Sequence, residues 1–432
     1  MKLRKTGRTL LAVAAAISAV ALSACGSEPG GGERDGGATA WALTGGSEAP
    51  FRASFEAWNE DHPDQQISAE WYANDAYKEK IRTAVGSGNA PTLIFSWAGG
   101  TLADYAEGGR VTDITDETSD VMDRVLPSVA ASGVIDGRTY AVPNNQSQPV
   151  VLYYNRQLLA DAGVEPPTTW QELLDAVEAL KDTGVTPLGL AGQSVWPELM
   201  YIQYLTDRIG GPEVFQRVLD GEPGAWSDPA IIEATSRIRE LVDAGAFGDG
   251  FASVTADGGA DVALVHSGTA AMLLQGSWVY PTFVQDAPDF VADGNLGYTT
   301  FPTIEGGAGD PSNIVGNPSN FWSISADSPA QSQETATEYL NEALFNDEHI
   351  DALLDNGTVP PVAGLEDRIA EQDDADYLEF VYGMVRDADH FQLSWDQALP
   401  PAQAQELLTN LSKLFLGEIT PEDFSSAMDA TL

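Results

Sequence analysis

Lysine is nearly missing from this chain. Six occur in 432 residues, and the formal net charge is −44. A surface of that sign repels polyanions, which argues against nucleic acid as a partner. We read the acidity as a solvation trait that says little about a ligand. Cysteine is scarcer still. Cys25 stands alone, so no intrachain disulfide can form and apolar cores must carry stability. The four histidines, His62, His266, His349 and His390, show no ligand spacing. With no cysteine left to help them, no metal site is expected. Nucleotide fingerprints are absent: there is no Gly-x4-Gly-Lys-Ser/Thr, and no Gly-x-Gly-x-x-Gly between a strand and a helix. Neither a Gly-x-Ser-x-Gly elbow nor a Ser-x-x-Lys motif occurs. No cofactor and no catalytic residue are expected. A glycosidase needs two carboxylates across the scissile bond. Among 65 acidic residues any such pair can be found, so finding one decides nothing. A secreted glycoside hydrolase or lyase therefore stays open as an alternative without a signature.

Long apolar runs are also wanting. Residues 10–22 form a 13-residue apolar stretch, shorter than the roughly 20 residues that span a bilayer. Lys2, Arg4, Lys5 and Arg8 precede it, the pattern of a signal peptide over residues 1–24. Leu22-Ser23-Ala24-Cys25 looks like a bacterial lipobox. That resemblance implies a lipid on Cys25 and cleavage before it, hence a chain anchored to the cell membrane on its outer side. Residues 25–38, rich in Gly, Ser, Glu and Asp, read as a flexible tether.

The body that follows is long enough for two domains. Strand patterns at 39–43, 67–71 and 92–97 alternate with helical patterns opened by Pro50 and capped by Asn74. This alternation predicts a largely parallel α/β sheet with ligand-facing loops at strand ends, such as the one ending in Ser47. Further on, Thr169 and Glu172 have capping-box spacing ahead of a helix. Residues 186–191, 270–274 and 296–301 read as strands.

Two amide-rich stretches interrupt this regularity. Asn144, Asn145 and Gln146 lie between an apolar segment ended by Pro143 and the strand-like 150–154. Asn317 and Asn320 lie before a second strand pattern at 321–325. Each is either a surface loop or a crossing between two lobes, with amides facing a cleft. Residues 358–361 are a third candidate crossing. Trp41, Trp58, Trp71 and Trp170 sit in amphipathic contexts and read as core. Trp97, Trp196, Trp278 and Trp395 sit at strand ends or turns beside Gly, Pro, Ser or Asp. A flat indole beside polar groups suits a sugar ring, and a stack over about 50 Å² contributes roughly 1 kcal/mol. Micromolar binding needs about 8 kcal/mol, so hydrogen bonds must supply most of it. Amides donate and accept at once, which matches hydroxyls. Asp396 is a further candidate for direct hydroxyl contact, or else a solvated helix-start residue.

The segments Gly88-Asn89-Ala90-Pro91-Thr92, Asp136-Gly137-Arg138-Thr139-Tyr140, Val151-Leu152-Tyr153-Tyr154-Asn155, Pro166-Pro167-Thr168-Thr169-Trp170 and Gly276-Ser277-Trp278 together resemble the extracellular solute-binding proteins of ATP-driven sugar importers. Trp196-Pro197-Glu198-Leu199-Met200 and Gly316-Asn317-Pro318-Ser319-Asn320 are similar to xylo-oligosaccharide-binding lipoproteins. At Ser96-Trp97 the sequence departs from many relatives. The resemblance implies a periplasmic-binding-protein-like fold of type II, two α/β lobes joined by three hinge strands. Lobe 1 is expected over 39–145 and 316–357, lobe 2 over 146–315 and 358–432. It also implies sugar held between the lobes, an aromatic at Trp278 and a late tryptophan, Trp395, stacking on it, and a site that includes Glu198. The expected partners are an oligosaccharide and the permease subunits of an ABC transporter, with the chain itself a monomer. A binding protein for another solute, such as a peptide or polyamine, is the remaining alternative.

Overall fold

The structure is a computed structural model and describes residues 37–432. The expected signal peptide, Cys25 and most of the tether lie outside the described residues.

In the first lobe, three apolar strands, Ala38–Leu43, Ile67–Tyr72 and Leu93–Ser96, pair in parallel. Parallel pairing needs crossover connections, and the helices Glu48–Asp61 and Asn74–Ser87 supply them. Phe51, Phe55 and Trp58 recur at helical spacing and are buried. Phe51 meets Trp322 edge-on at 5.5 Å, and Phe55 meets Tyr339 at 5.0 Å. Asn74, expected as the cap of the second helix, is instead its first residue. Ala73 holds the cap position and has no side-chain oxygen to offer. Two strands from later in the chain extend this sheet: Phe321–Ile324 pairs antiparallel with Leu93–Ser96, and Val142–Pro143 pairs antiparallel with Phe321–Ile324.

The second lobe is built on Gln148–Asn155. This strand pairs antiparallel with Ala270–Gly276 on one side, and with Leu296–Thr299 and Ile314–Asn317 on the other. Thr186–Gly189 and Phe391–Leu393 add the outer parallel pairs. The sheet is therefore mixed rather than largely parallel, because its central strand arrives from the other lobe and not through a crossover helix. Its side chains alternate between two cores. Val151 and Tyr153 join one cluster, while Val150, Leu152 and Tyr154 join the other. A strand covered on both faces needs apolar residues at every position, which is what 150–154 supplies. On one face the Tyr153 and Tyr377 hydroxyls meet at 2.7 Å, docking the helix Ala375–Asp387. On the other, the helix Trp170–Thr183 starts from a complete Thr169–Glu172 capping box.

Three segments pass between the sheets. Residues 144–147 join Val142–Pro143 to Gln148–Asn155, and 318–320 join Ile314–Asn317 to Phe321–Ile324. The third, around 358–361, follows the helix Asp347–Asp355. The crossings bond to one another: the Asn144 N–H donates to the Asn320 carbonyl at 2.9 Å, and the Ser147 N–H to the Val359 carbonyl at 2.9 Å. Gly316 has φ +141°, and a Cβ there would lie 2.1 Å from the Gln148 carbonyl oxygen. Only glycine lets the two hinge strands approach so closely.

Candidate functional site

Between the two sheets lies a cavity of about 410 Å³ with walls from both lobes, within the size range of small-molecule sites. Three partly exposed indoles line it. Trp97 follows the lobe 1 strand Leu93–Ser96. Trp196 opens the 3-10 turn Trp196–Glu198. Trp278 lies in the turn after Ala270–Gly276. The Trp196 and Trp278 rings are 5.9 Å apart, tilted by 47°. Trp278 lies flat over Gly276, where a Cβ would come within 1.8 Å of the indole Cζ3.

The crossings present their amides to the same space. Asn145 is largely used by the protein: its Oδ1 accepts from the Asn320 N–H at 3.1 Å and the Ser319 hydroxyl at 3.3 Å. Its Nδ2 donates to Ser47 Oγ at 3.4 Å, and Ser47 also lines the cavity. Asn317 donates to Gln148 Oε1 at 3.2 Å. Gln146 Nε2, Asn317 Oδ1, Asn320 Oδ1 and Gln397 Oε1 are buried with no partner among the described residues. A buried polar atom left unpaired costs about 1–3 kcal/mol. All four side chains line the one cavity, where hydroxyl groups would supply the missing partners.

The walls carry five carboxylates, Glu48, Asp257, Asp261, Asp286 and Asp396, and one ammonium, Lys78. Lys78 lies 3.7 Å from Asp396 Oδ2, and its ammonium is 5.4 Å from the Trp97 ring centre and 5.7 Å from that of Trp196. Asp396 thus faces the cavity as expected of a contact residue, but it also carries an ion pair across the lobes. Asp261 accepts from Gln275 Nε2 at 2.8 Å. Burial pushes its carboxyl up to about 6, against the lowering by this bond and that of the Val262 N–H. Burial, and next the nearby Asp75 charge, also raise Asp257.

Three expected site residues lie elsewhere. Trp395 is 1% exposed and stacks on Phe215 at 4.2 Å, with Trp226 edge-on at 5.7 Å. The helix Trp395–Ala398 turns its ring into the lobe 2 core and leaves Ser394, Asp396 and Gln397 on the wall. Asn144 is fully buried in the hinge behind the wall, with both side-chain polar atoms unpaired. Glu198 is also buried off the cavity, and desolvation raises its carboxyl to about 9, so it is neutral near pH 7. Sequence reasoning missed Lys78, Asp257, Asp261 and Gln275 on the wall. Only Lys78 carried a signal, as one of so few lysines.

The sequence model for bacterial extracellular solute-binding proteins matches residues 42–349. An ABC transporter extracellular-binding protein of Pyrococcus horikoshii is 28% identical over 244 residues, 55% of this chain and 54% of its own length. The xylose/arabinose-binding protein XacG of Haloferax volcanii is 27% identical over 279 residues, 62% of this chain and 58% of XacG. The chain thus spans a little over half the length of these curated relatives. The diacetylchitobiose binding protein DasA of Streptomyces coelicolor is 24% identical over 84% of both chains. A structure solved in work on xylan utilization by the thermophilic bacterium Caldanaerobius polysaccharolyticus superposes with a TM-score of 0.82 at 30% identity, covering 92% of this chain and all of that one. A chitin oligosaccharide binding protein shares the fold, with a TM-score of 0.80 at 23% identity over 91% of this chain and 97% of its own.

Proposed function

Because this chain belongs to the bacterial extracellular solute-binding protein family, we propose that it binds a neutral oligosaccharide, of the xylo-oligosaccharide class, and hands it to an ABC permease. One observation carries this reading: three indoles and four amide side chains with an unpartnered buried atom, drawn from both lobes and their crossings, line a single cavity. Indoles cover the C–H face of a sugar ring, and amides pair with its rim of hydroxyls. A ligand touching both lobes stabilises the form in which they are together, since only there are all contacts made. The lobes divide within the crossings at 144–147, 318–320 and 358–361, with Gly316 and Asn317 in lobe 2 rather than in lobe 1 as the expected boundary had them. The protein acts as a monomer tethered outside the cell through a lipid on Cys25, and it releases its sugar unaltered. The structure solved in the xylan-utilization work supports the xylo-oligosaccharide class.

A thermal-shift screen over xylo-, cello-, malto- and chito-oligosaccharides, followed by calorimetry, tests the reading. Stabilisation by xylo-oligosaccharides with 1:1 binding supports it. No stabilisation by any of the four series refutes it. Chromatography of the incubated xylo-oligosaccharides separates binding from hydrolysis, because shortened chains would identify an enzyme instead. Labelling with a radioactive fatty acid in the producing cells, lost in Cys25→Ser, tests the anchor.

A further inference from the structure

The helix Asn74–Ser87 of lobe 1 begins without a cap of its own, since Ala73 holds the cap position. The cap comes from the other lobe. The Asp257 carboxylate accepts from the Asp75 N–H at 3.2 and 3.4 Å, where a helix N-terminus favours negative charge. Asp75 in turn reaches back. Its carboxylate accepts from the Ser194 hydroxyl at 2.6 Å and from the Trp196 indole N–H at 3.2 Å. Ser194 Oγ also accepts from the Ala256 N–H at 3.0 Å, so the 194–196 turn and the 256–257 turn converge on one lobe 1 side chain. Between Ser194 and Trp196, Val195 has φ +62°. A β-branched residue takes that conformation only where its surroundings hold it there. The strained turn is what sets the Trp196 indole on the cavity wall, beside Trp278.

We infer that Asp75 is a positioning residue for sugar binding: it fixes the Trp196 ring from the opposite lobe, so that stacking on Trp196 and closure of the lobes occur together. This rests on the sugar-binding reading above. Asp75 need not touch the sugar. Its two acceptor bonds exist only while the lobes are in contact, and a ligand held under Trp196 therefore keeps them made. A hydrogen bond to a carboxylate is roughly twice as strong as one between neutral groups, which is why an acid rather than an amide suits the position.

The test compares wild type, Asp75→Ala, Asp75→Asn and Trp196→Phe by calorimetry with xylotriose and by small-angle X-ray scattering, free and with xylotriose. Asp75→Ala is expected to bind at least tenfold more weakly and to contract less when xylotriose is added. Asp75→Asn, which keeps an acceptor oxygen, recovers part of the loss. Trp196→Phe keeps an apolar face but lacks the N–H, and in that background Asp75→Ala costs less than it does alone. Thermal unfolding of free Asp75→Ala stays close to wild type, which a general folding role would not allow. Equal affinity and equal contraction in wild type and Asp75→Ala overturn the inference. So does scattering in which the wild-type chain is no more compact than Asp75→Ala in either state. A wild type that binds none of the oligosaccharides, yet is more compact than Asp75→Ala, refutes the sugar reading while leaving the clamp standing.

Discussion

Gly276 gives a way to move the Trp278 ring without touching it. Its backbone, φ −69° and ψ 158°, is open to any residue, so alanine causes no conformational strain there. The added Cβ, however, would lie 1.8 Å from Cζ3 and 2.1 Å from Cε3 and Cη2 of the indole. No real contact is that short, and the ring must swing away from the wall. If a sugar covers about 50 Å² of the indole face, losing the stack at about 25 cal/mol/Å² costs about 1.3 kcal/mol, close to tenfold in Kd. Trp278→Ala removes the same stack directly. Titration calorimetry with xylotriose should therefore show Gly276→Ala and Trp278→Ala each weakened close to tenfold. The double substitution should be no weaker than Trp278→Ala alone, because both act through one ring. Wild-type affinity in both single variants would refute the stacking role of Trp278. Additive losses in the double variant would refute the claim that Gly276 acts through the ring.

Other substitutions separate the wall from what lies behind it. Asn320→Ala should weaken xylotriose binding roughly fivefold to tenfold, about 1–1.4 kcal/mol, while leaving the melting temperature of the free chain nearly unchanged, because its Oδ1 has no protein partner to lose. Trp395→Ala should cost about 3–5 kcal/mol of stability in chemical denaturation, the usual range for emptying a buried tryptophan site. Glu198 ties stability to pH. Its carboxyl titrates near 4.5 when unfolded and near 9 in the fold, so folding takes up a proton between those values. The folded pKa is the raised one, so this contribution is fully present below pH 4.5 and is lost as pH rises, by about 1.4 kcal/mol per pH unit, until about pH 9. Glu198→Gln should remove that slope from unfolding free energies measured between pH 5 and 9, and an unchanged slope would show that Glu198 is not the group responsible.

Where local chemistry decides the outcome, the sequence was legible. The Thr169–Glu172 box caps its helix, the alternating strand and helix patterns of the first lobe became three parallel strands of its sheet, and both amide-rich stretches became crossings. Where distant packing decides, it was not. Trp278 and Trp395 each follow a serine near a strand end, yet one lies on the wall and the other in the core. The difference is Phe215, far away in sequence, which stacks on Trp395. Asn144 and Asn145 are neighbours, yet the chain bends at Asn145, so Asn144 stays in the hinge while Asn145 and Gln146 line the cavity. Glu198 was expected at the site, but the chain turns inward after Val195 and buries it. The contacts of Asp75 with Ser194, Trp196 and Asp257 span more than a hundred residues and leave no mark in local pattern.

The most direct measurement is a crystal structure of the chain grown with xylotriose. The account predicts a sugar between the lobes, one ring stacked on Trp278, and hydroxyls within about 3 Å of Gln146 Nε2, Asn317 Oδ1 and Asn320 Oδ1. A sugar bound outside this cavity, or one lying inside it with those three atoms and the indole left untouched, would contradict it.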